Sequence, residues 1–314
     1  MMALEEKIHE LVKTVGTIIR GKDNIIELSM VAILSRGHLL IEDVPGVGKT
    51  TLAYALAKSL DLSFKRIQFT ADLLPTDIIG VSIYNREKGC FEFKAGPLFS
   101  NVILTDEINR SAPKTQSSLL QAMNESRVTV DNETLALPQP FMVLATQNPL
   151  EHRGTYPLPE SQMDRFMMRL KIGYPERVEE MTLLQGENRM EMASCLEPIL
   201  SSEEIFACQD RVDRVLVDEV LLEYIMDLVE QSRKSDYLQL GISPRGALHL
   251  KKAAQALAFI RGRSYCIPDD LQELAVPVFS HRIIPRVSSG HRGSPAEMVE
   301  EIISHLLHQI PVPV

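Results

Sequence analysis

The sequence predicts an α/β fold in the first half of the chain, a parallel sheet covered by helices, followed by a smaller all-helical domain. Three observations predict it. Short apolar runs alternate with helix-patterned segments as far as residue 174; one such run leads through a glycine-containing turn directly into a helix; and strand patterning stops after Tyr174-Pro175. The expected domains are therefore 1–175 and 176–314.

Five runs carry strand character: HLLIE (38–42), FKRIQF (64–69), NVILT (101–105), FMVLAT (141–146) and MMRLKI (167–172). Between them TLAYALAKSL (51–60) and KTQSSLLQAMNES (114–126) have helical spacing, so a parallel sheet with helices on both faces is expected. Two segments interrupt the alternation. VSIYNREKGCFEFK (81–94) and RVTVDNETLAL (127–137) repeat every two residues around polar turns and read as inserted β-hairpins. Beyond residue 175, helices are expected at 176–190, 202–213, 217–233, 243–261, 268–280 and 295–308, with Pro175, Pro198, Pro244, Pro268 and Pro295 near the starts.

Composition narrows the functional classes. The chain has 314 residues, 45% of them hydrophobic, enough to bury two cores. Its net charge of -9 argues against broad, sequence-independent binding to nucleic acid or anionic membrane. Glu5 and Glu6 near the start read as part of an amphipathic helix and not a signal peptide, and no apolar run reaches the length of a membrane span. Cys90, Cys195, Cys208 and Cys266 form no C-x-x-C pair, which suits reduced thiols in the cytoplasm; the histidines show no zinc-site spacing.

Chemistry concentrates at the strand ends. EDVPGVGKTT (42–51) follows the phosphate-loop pattern G-x-x-x-x-G-K-[ST] except at its first position, where Asp43 stands for glycine. Backbone N–H groups of a loop running through Val44, Pro45, Gly46, Val47, Gly48, Lys49, Thr50 and Thr51 can point into one concavity at a helix N-terminus, where an anion is favoured. Lys49 is expected on the β and γ phosphates of a nucleotide, and the Thr50 hydroxyl on magnesium. NVILTDE ends in Asp106 and Glu107, one carboxylate suited to holding magnesium and the next to polarising an attacking water. FMVLATQNP ends in Thr146, Gln147 and Asn148, and Asn148 is the amide expected beside the γ-phosphate and the water.

In this order the residues resemble the AAA+ ATPases, with Walker A at Gly46 to Thr51, Walker B at Val102 to Glu107 and sensor 1 at Asn148. The stretches DEINRSAPKTQSSLLQAMNESRVTV, FMVLATQNPLEHRGTYPLPESQMDRF and GISPRGAL are similar to the MoxR subfamily over nearly the entire chain. The resemblance implies an AAA+ P-loop core with a five-stranded parallel sheet of order 5-1-4-3-2, two inserted hairpins and an all-α lid. It implies ATP and Mg2+ as ligands, Arg165 of MDRF as the arginine finger reaching a neighbour's nucleotide, and Arg245 of SPRG as sensor 2. Ile18, Ile19 and Gly21 match the segment that packs on adenine. The inserted hairpins become candidates for gripping a client; Phe91 and Phe93 either form that grip or pack the hairpin.

A finger acting across a subunit boundary implies head-to-tail contacts that close into a ring, by family expectation a homo-hexamer. The leading expectation is an Mg-ATP-driven, chaperone-like remodelling ATPase that matures a client protein or inserts its metal cofactor. A partner with a von Willebrand factor A domain is implied by the resemblance. Two other readings remain: a nucleic-acid motor, disfavoured by the acidic charge and by hairpin tips that are not basic, and a scaffold that binds nucleotide without hydrolysing it, disfavoured by intact Glu107 and Asn148.

Overall fold

The computed structural model describes residues 3–131, 133–148, 154–286 and 295–313. Its strands, in chain order, are β1 (Leu39–Glu42), β2 (Phe64–Gln68), β3 (Gly80–Asn85), β4 (Cys90–Ala95), β5 (Val102–Asp106), β6 (Arg127–Val130), β7 (Glu133–Ala136), β8 (Met142–Gln147), β9 (Met168–Leu170), β10 (Leu238–Leu240) and β11 (Ile284–Pro285). Five of them form one sheet in the order β2-β5-β8-β1-β9. Numbered among themselves, these strands run 5-1-4-3-2, as expected. β2, β5, β8 and β1 pair in parallel. β5 is buried at every position and β8 at all but its last, which accounts for the continuous apolar runs that carry no alternation.

Both hairpins form where expected. β3 pairs with β4 antiparallel from Gly80 opposite Ala95 to Asn85 opposite Cys90, and the turn is closed by the Asn85 side chain, whose Oδ1 accepts from the N–H groups of Glu87 and Lys88. β6 pairs with β7 from Arg127 opposite Ala136 to Val130 opposite Glu133. Gly80 is required at the base of the first hairpin. Its φ is +115°, and a Cβ there would lie 2.3 Å from the Lys94 carbonyl oxygen.

The chain divides into two compact units, but not at one point. The first comprises Met1–Ser29, His38–Leu158 and Leu170–Phe206; the second comprises Met30–Gly37, Pro159–Arg169 and Ala207–Val314. Helices after residue 175 stay with the first unit for identifiable reasons. The N–H groups of Ile199 and Leu200 both donate to the Ser59 carbonyl, and Arg20 reaches Glu179 and Glu187. The helix expected over 176–190 is two helices, Arg177–Leu184 and Arg189–Ser194. Gly186 breaks it with φ +93°, and Asn188 caps the second piece by accepting from the N–H groups of Met190 and Glu191.

In the second unit the longer helices are Glu219–Lys234, Pro244–Ile260, Pro268–Phe279 and Pro295–Gln309, joined by the short helix Glu160–Met163 and the ends of Asp23–Leu34 and Ser202–Val212. Glu219–Lys234 buries Leu221, Tyr224, Ile225, Leu228, Val229 and Ser232, a single face at 3.6-residue spacing, and Asp218 caps its start. The unit also carries a two-stranded antiparallel ribbon, β10 with β11, which the sequence reading did not anticipate. Two and three residues are too few to show a period. Among the described residues no helix is long and apolar enough to cross a membrane.

Candidate functional site

Parallel pairing brings the strand tips to one edge. Glu42 lies opposite Gln147, Ile41 opposite Thr146, and Gln68 opposite Asp106, so the residues that follow β1, β5 and β8 converge at the carboxyl end of the sheet. Open α/β sheets bind ligands at that end. There a cavity of about 330 Å3 is lined by Pro45, Gly46, Gly48, Lys49, Thr50, Thr51, Arg66, Gln68, Asp106, Glu107, Thr146 and Asn148.

The loop that closes the cavity is held from both ends. Gly46 and Gly48 have φ of +88° and +94°, and an added Cβ at either would meet nothing within 4 Å. What glycine supplies at these positions is the left-handed backbone. Gly48 ends the loop as the N-cap residue of the helix Lys49–Ser59. Asp43, the departure from the phosphate-loop pattern, ties the loop down. Its Oδ1 accepts from Val44 N at 2.9 Å, its Oδ2 from Gly173 N at 2.6 Å, and its carbonyl from Lys49 Nζ at 2.5 Å. Burial pulls the Lys49 ammonium below its ordinary pKa, while the charges of Asp43, Asp106 and Glu107 pull it back up.

Asp106 and Glu107 occupy different environments one residue apart. Asp106 is buried at the end of β5; its Oδ2 accepts from Arg66 Nε at 2.5 Å and its Oδ1 from the Thr146 hydroxyl at 3.4 Å. Glu107 leaves the strand with φ 57° and ψ 52°, a left-handed conformation that costs a residue bearing a Cβ about 1–2 kcal/mol. Its N–H donates to Thr146 Oγ1 at 3.0 Å, and its Oε2 accepts from Gln68 Nε2 at 2.9 Å and lies 3.2 Å from Arg110 Nε. The strained turn, opening the 3-10 turn Ile108–Arg110, swings the second carboxylate away from the strand direction and toward Gln68 of the neighbouring strand.

Comparisons with known proteins converge on one group. Residues 38–168 match the profile described as the ATPase family associated with various cellular activities (AAA), and residues 230–302 match the AAA lid domain. The chain is 46% identical, over all of its own length and 98% of the relative, to the uncharacterized protein YeaC of Bacillus subtilis (strain 168). It is 40% identical to Chaperone MoxR1 of Mycobacterium tuberculosis, over 90% of this chain and 77% of that one. The chain belongs to the MoxR family of AAA+ ATPases. A solved structure from Cytophaga hutchinsonii, described as a candidate ATPase, superposes on this MoxR chain with a TM-score of 0.89 at 38% identity, covering 99% of this chain and 96% of that one.

The remaining MoxR-type positions fall elsewhere. Ile18 and Ile19 are buried just after the helix Leu4–Gly16, and Gly21 turns the chain with φ +67°; none of the three lines the cavity. Nor do Val44 or Val47, which belong to the same loop. Arg165 follows the helix Glu160–Met163 and Arg245 sits in the first turn of Pro244–Ile260, both in the second unit. Phe93 stacks edge-on against Phe99 at 5.4 Å, whereas Phe91 is 72% exposed against Tyr84 at the hairpin surface. Arg66 and Gln68 were missed by sequence reasoning. The available signal was polar residues at alternate positions of FKRIQF, a strand of an otherwise apolar parallel sheet.

Proposed function

We propose that this MoxR-family chain binds Mg-ATP in the cavity at the sheet edge and hydrolyses it to drive remodelling of a partner protein. The observation that carries the reading is the convergence of the Gly46–Thr51 loop, Asp106, Glu107 and Asn148 on one cavity. The donor set fits a magnesium nucleotide: loop N–H groups and the Lys49 ammonium for phosphate oxygens, and the Thr50 hydroxyl with the Asp106 carboxylate for the metal. Magnesium held there supplies charge neutralisation on the phosphate oxygens. Asp43 keeps Lys49 aimed along the loop. Gln68 and Arg110 orient the Glu107 carboxylate as the base that takes a proton from the attacking water, and the Asn148 amide fixes that water.

Replacing Glu107 by Gln keeps the shape and removes the base. Phosphate release should fall by at least about 100-fold while a fluorescent ATP analogue still binds with wild-type affinity. Equal release rates would remove Glu107 from this role.

Arg165 and Arg245 are assigned as finger and sensor on the family resemblance of MDRF and SPRG, and a guanidinium suits both roles because it keeps its charge and offers a planar fork to phosphate oxygens. With Arg165 serving a neighbour's site, the working form is a closed homo-oligomeric ring, which we take as hexameric. Mixing inactive Arg165→Ala chains with inactive Glu107→Gln chains should then restore phosphate release, since some boundaries combine an intact base with an intact finger. The exposed Phe91 tip is placed against the client, and a protein with a von Willebrand factor A domain is the proposed recruiting partner. A MoxR relative named as a chaperone supports the remodelling role.

A further inference from the structure

The two motifs that carry Arg165 and Arg245 share one carboxylate. Asp164, immediately before Arg165, caps the end of the helix Glu160–Met163. Its Oδ1 accepts from the Ser243 hydroxyl at 2.8 Å and from Arg282 Nε at 2.8 Å. Ser243 is itself the N-cap of Pro244–Ile260, accepting from Gly246 N at 3.0 Å. One hydroxyl thus donates to the residue before Arg165 and receives from the residue after Arg245.

Arg282 closes the arrangement from below. Its side chain is 1% exposed. Its guanidinium donates to the carbonyls of Asp164 at 3.2 Å, Met167 at 3.1 Å, Phe166 and Val278, so three of the four residues 164–167 hand it their backbone oxygens. The rings of His249 and His281 lie within hydrogen-bond reach of the same group. Gly246 is needed for the arginine to pass: a Cβ there would sit 2.9 Å from Arg282 Cδ. Burial pulls the Arg282 pKa down to about 10, against the attraction of Asp164 and with added repulsion from Arg245. A buried pair of this kind is a poor way to gain stability, since apolar replacements of the same shape often do as well. What it provides is a fixed fork holding several backbone oxygens in one arrangement.

We propose that Arg282, Asp164 and Ser243 are positioning residues that lock the backbone of Arg165 and the first turn bearing Arg245 into one rigid piece, presenting both arginines to nucleotide in fixed mutual geometry. The inference rests on the finger and sensor roles assigned above. It identifies Arg282, which lies in no motif quoted from the sequence, as part of the hydrolytic apparatus at one remove.

The test uses the full chain. Asp164→Ala and Arg282→Lys should each lower kcat for ATP hydrolysis by about 10-fold or more, with binding of a fluorescent ADP analogue unchanged within about twofold. Asp164→Asn keeps the oxygen that accepts from Ser243 and Arg282, and should recover most of the loss. Mixing Asp164→Ala with Glu107→Gln chains should restore activity, as for Arg165→Ala, because the defect lies in an arm offered to the neighbour. If Arg165→Ala is rescued by mixing and Asp164→Ala is not, the positioning role is overturned while the finger stands. If neither is rescued, the finger assignment fails and this inference falls with it. Should Asp164→Ala or Arg282→Lys fold poorly by circular dichroism, Ser243→Ala reads the same coupling more gently, and wild-type kcat in Ser243→Ala would sink it.

Discussion

Two arginine–aspartate pairs of this chain lie at positions proposed above to be functional, and their arginines differ in solvent exposure. Arg66 meets Asp106 at 2.5 Å with 54% of the arginine side chain in water, whereas Arg282 meets Asp164 at 2.8 Å with 1% exposed. An exposed guanidinium can leave its carboxylate at little cost, because water replaces what it gives up. A buried one cannot, because the guanidinium itself would be left without water to replace its partner. The first pair is therefore exchangeable and the second permanent. That division suits the proposed roles: an Asp106 that takes up a cation has to release its partner, and an Asp164 that positions Arg165 has to keep its own.

The largest effect should follow from breaking the permanent pair. Arg282→Met removes the charged donor shared by Asp164 and four backbone carbonyls, and should cost about 3–5 kcal/mol, seen as a fall in the melting temperature of roughly 10 °C. Adding Asp164→Leu should recover most of that loss, since two apolar side chains replace two charges. Recovery of stability without recovery of ATP hydrolysis would separate the structural from the positioning role of the pair. A single variant that melts like wild type would mean that burial does not set the cost.

Burial should govern in the first unit as well, and His38 tests this. Its Nδ1 accepts from Val143 N at 3.1 Å and its Nε2 lies 2.9 Å from the Met123 carbonyl, so the neutral ring is satisfied on both sides. Burial lowers its pKa from 6.5 to about 4. Because the folded value is the lower one, the unfolded chain takes up the proton first. The stability held above pH 6.5 is lost as pH falls toward 4, by up to about 3 kcal/mol. In His38→Gln nothing titrates at this position, so the drop in melting temperature between pH 7 and pH 5 should be smaller than in wild type. Parallel pH profiles for the two chains would refute the assignment. His281 in the second unit, its pKa also driven well down by burial, titrates equally in both and cancels from the comparison.

How much of this was legible in the sequence follows from the range of each interaction. The apolar runs, both hairpins and the Gly46–Thr51 turn are local patterns, and they form where the residues place them. The strand order came from the resemblance and not from periodicity, which cannot rank five buried strands. Arg66 and Gln68 escaped because only the register of β2 on β5 brings them opposite Leu104 and Asp106. In the sequence Asp43 shows only as a departure from the loop pattern, because its bond to Gly173 N spans 130 residues. The interleaved compact units were hidden for the same reason: the Ser59 carbonyl that anchors Ile199 and Leu200 lies far back in the chain.

The smallest change in stability, and the sharpest test of the exchangeable pair, belongs to Arg66. With more than half its side chain in water, Arg66→Gln should alter stability by less than about 1 kcal/mol. Its effect should appear in ligand binding instead. In the wild type a cation approaching Asp106 Oδ2 competes with the Arg66 guanidinium already there. Removing that competitor should lower the magnesium concentration needed for half-maximal binding of a fluorescent ATP analogue, by about threefold if the pair is worth the usual fraction of a kcal/mol. An increased magnesium requirement, or weaker nucleotide binding at every magnesium concentration, would show that Arg66 stays in the cavity as a phosphate ligand. The exposed pair would then be as fixed as the buried one, and exposure alone would not distinguish a partner that leaves from one that stays.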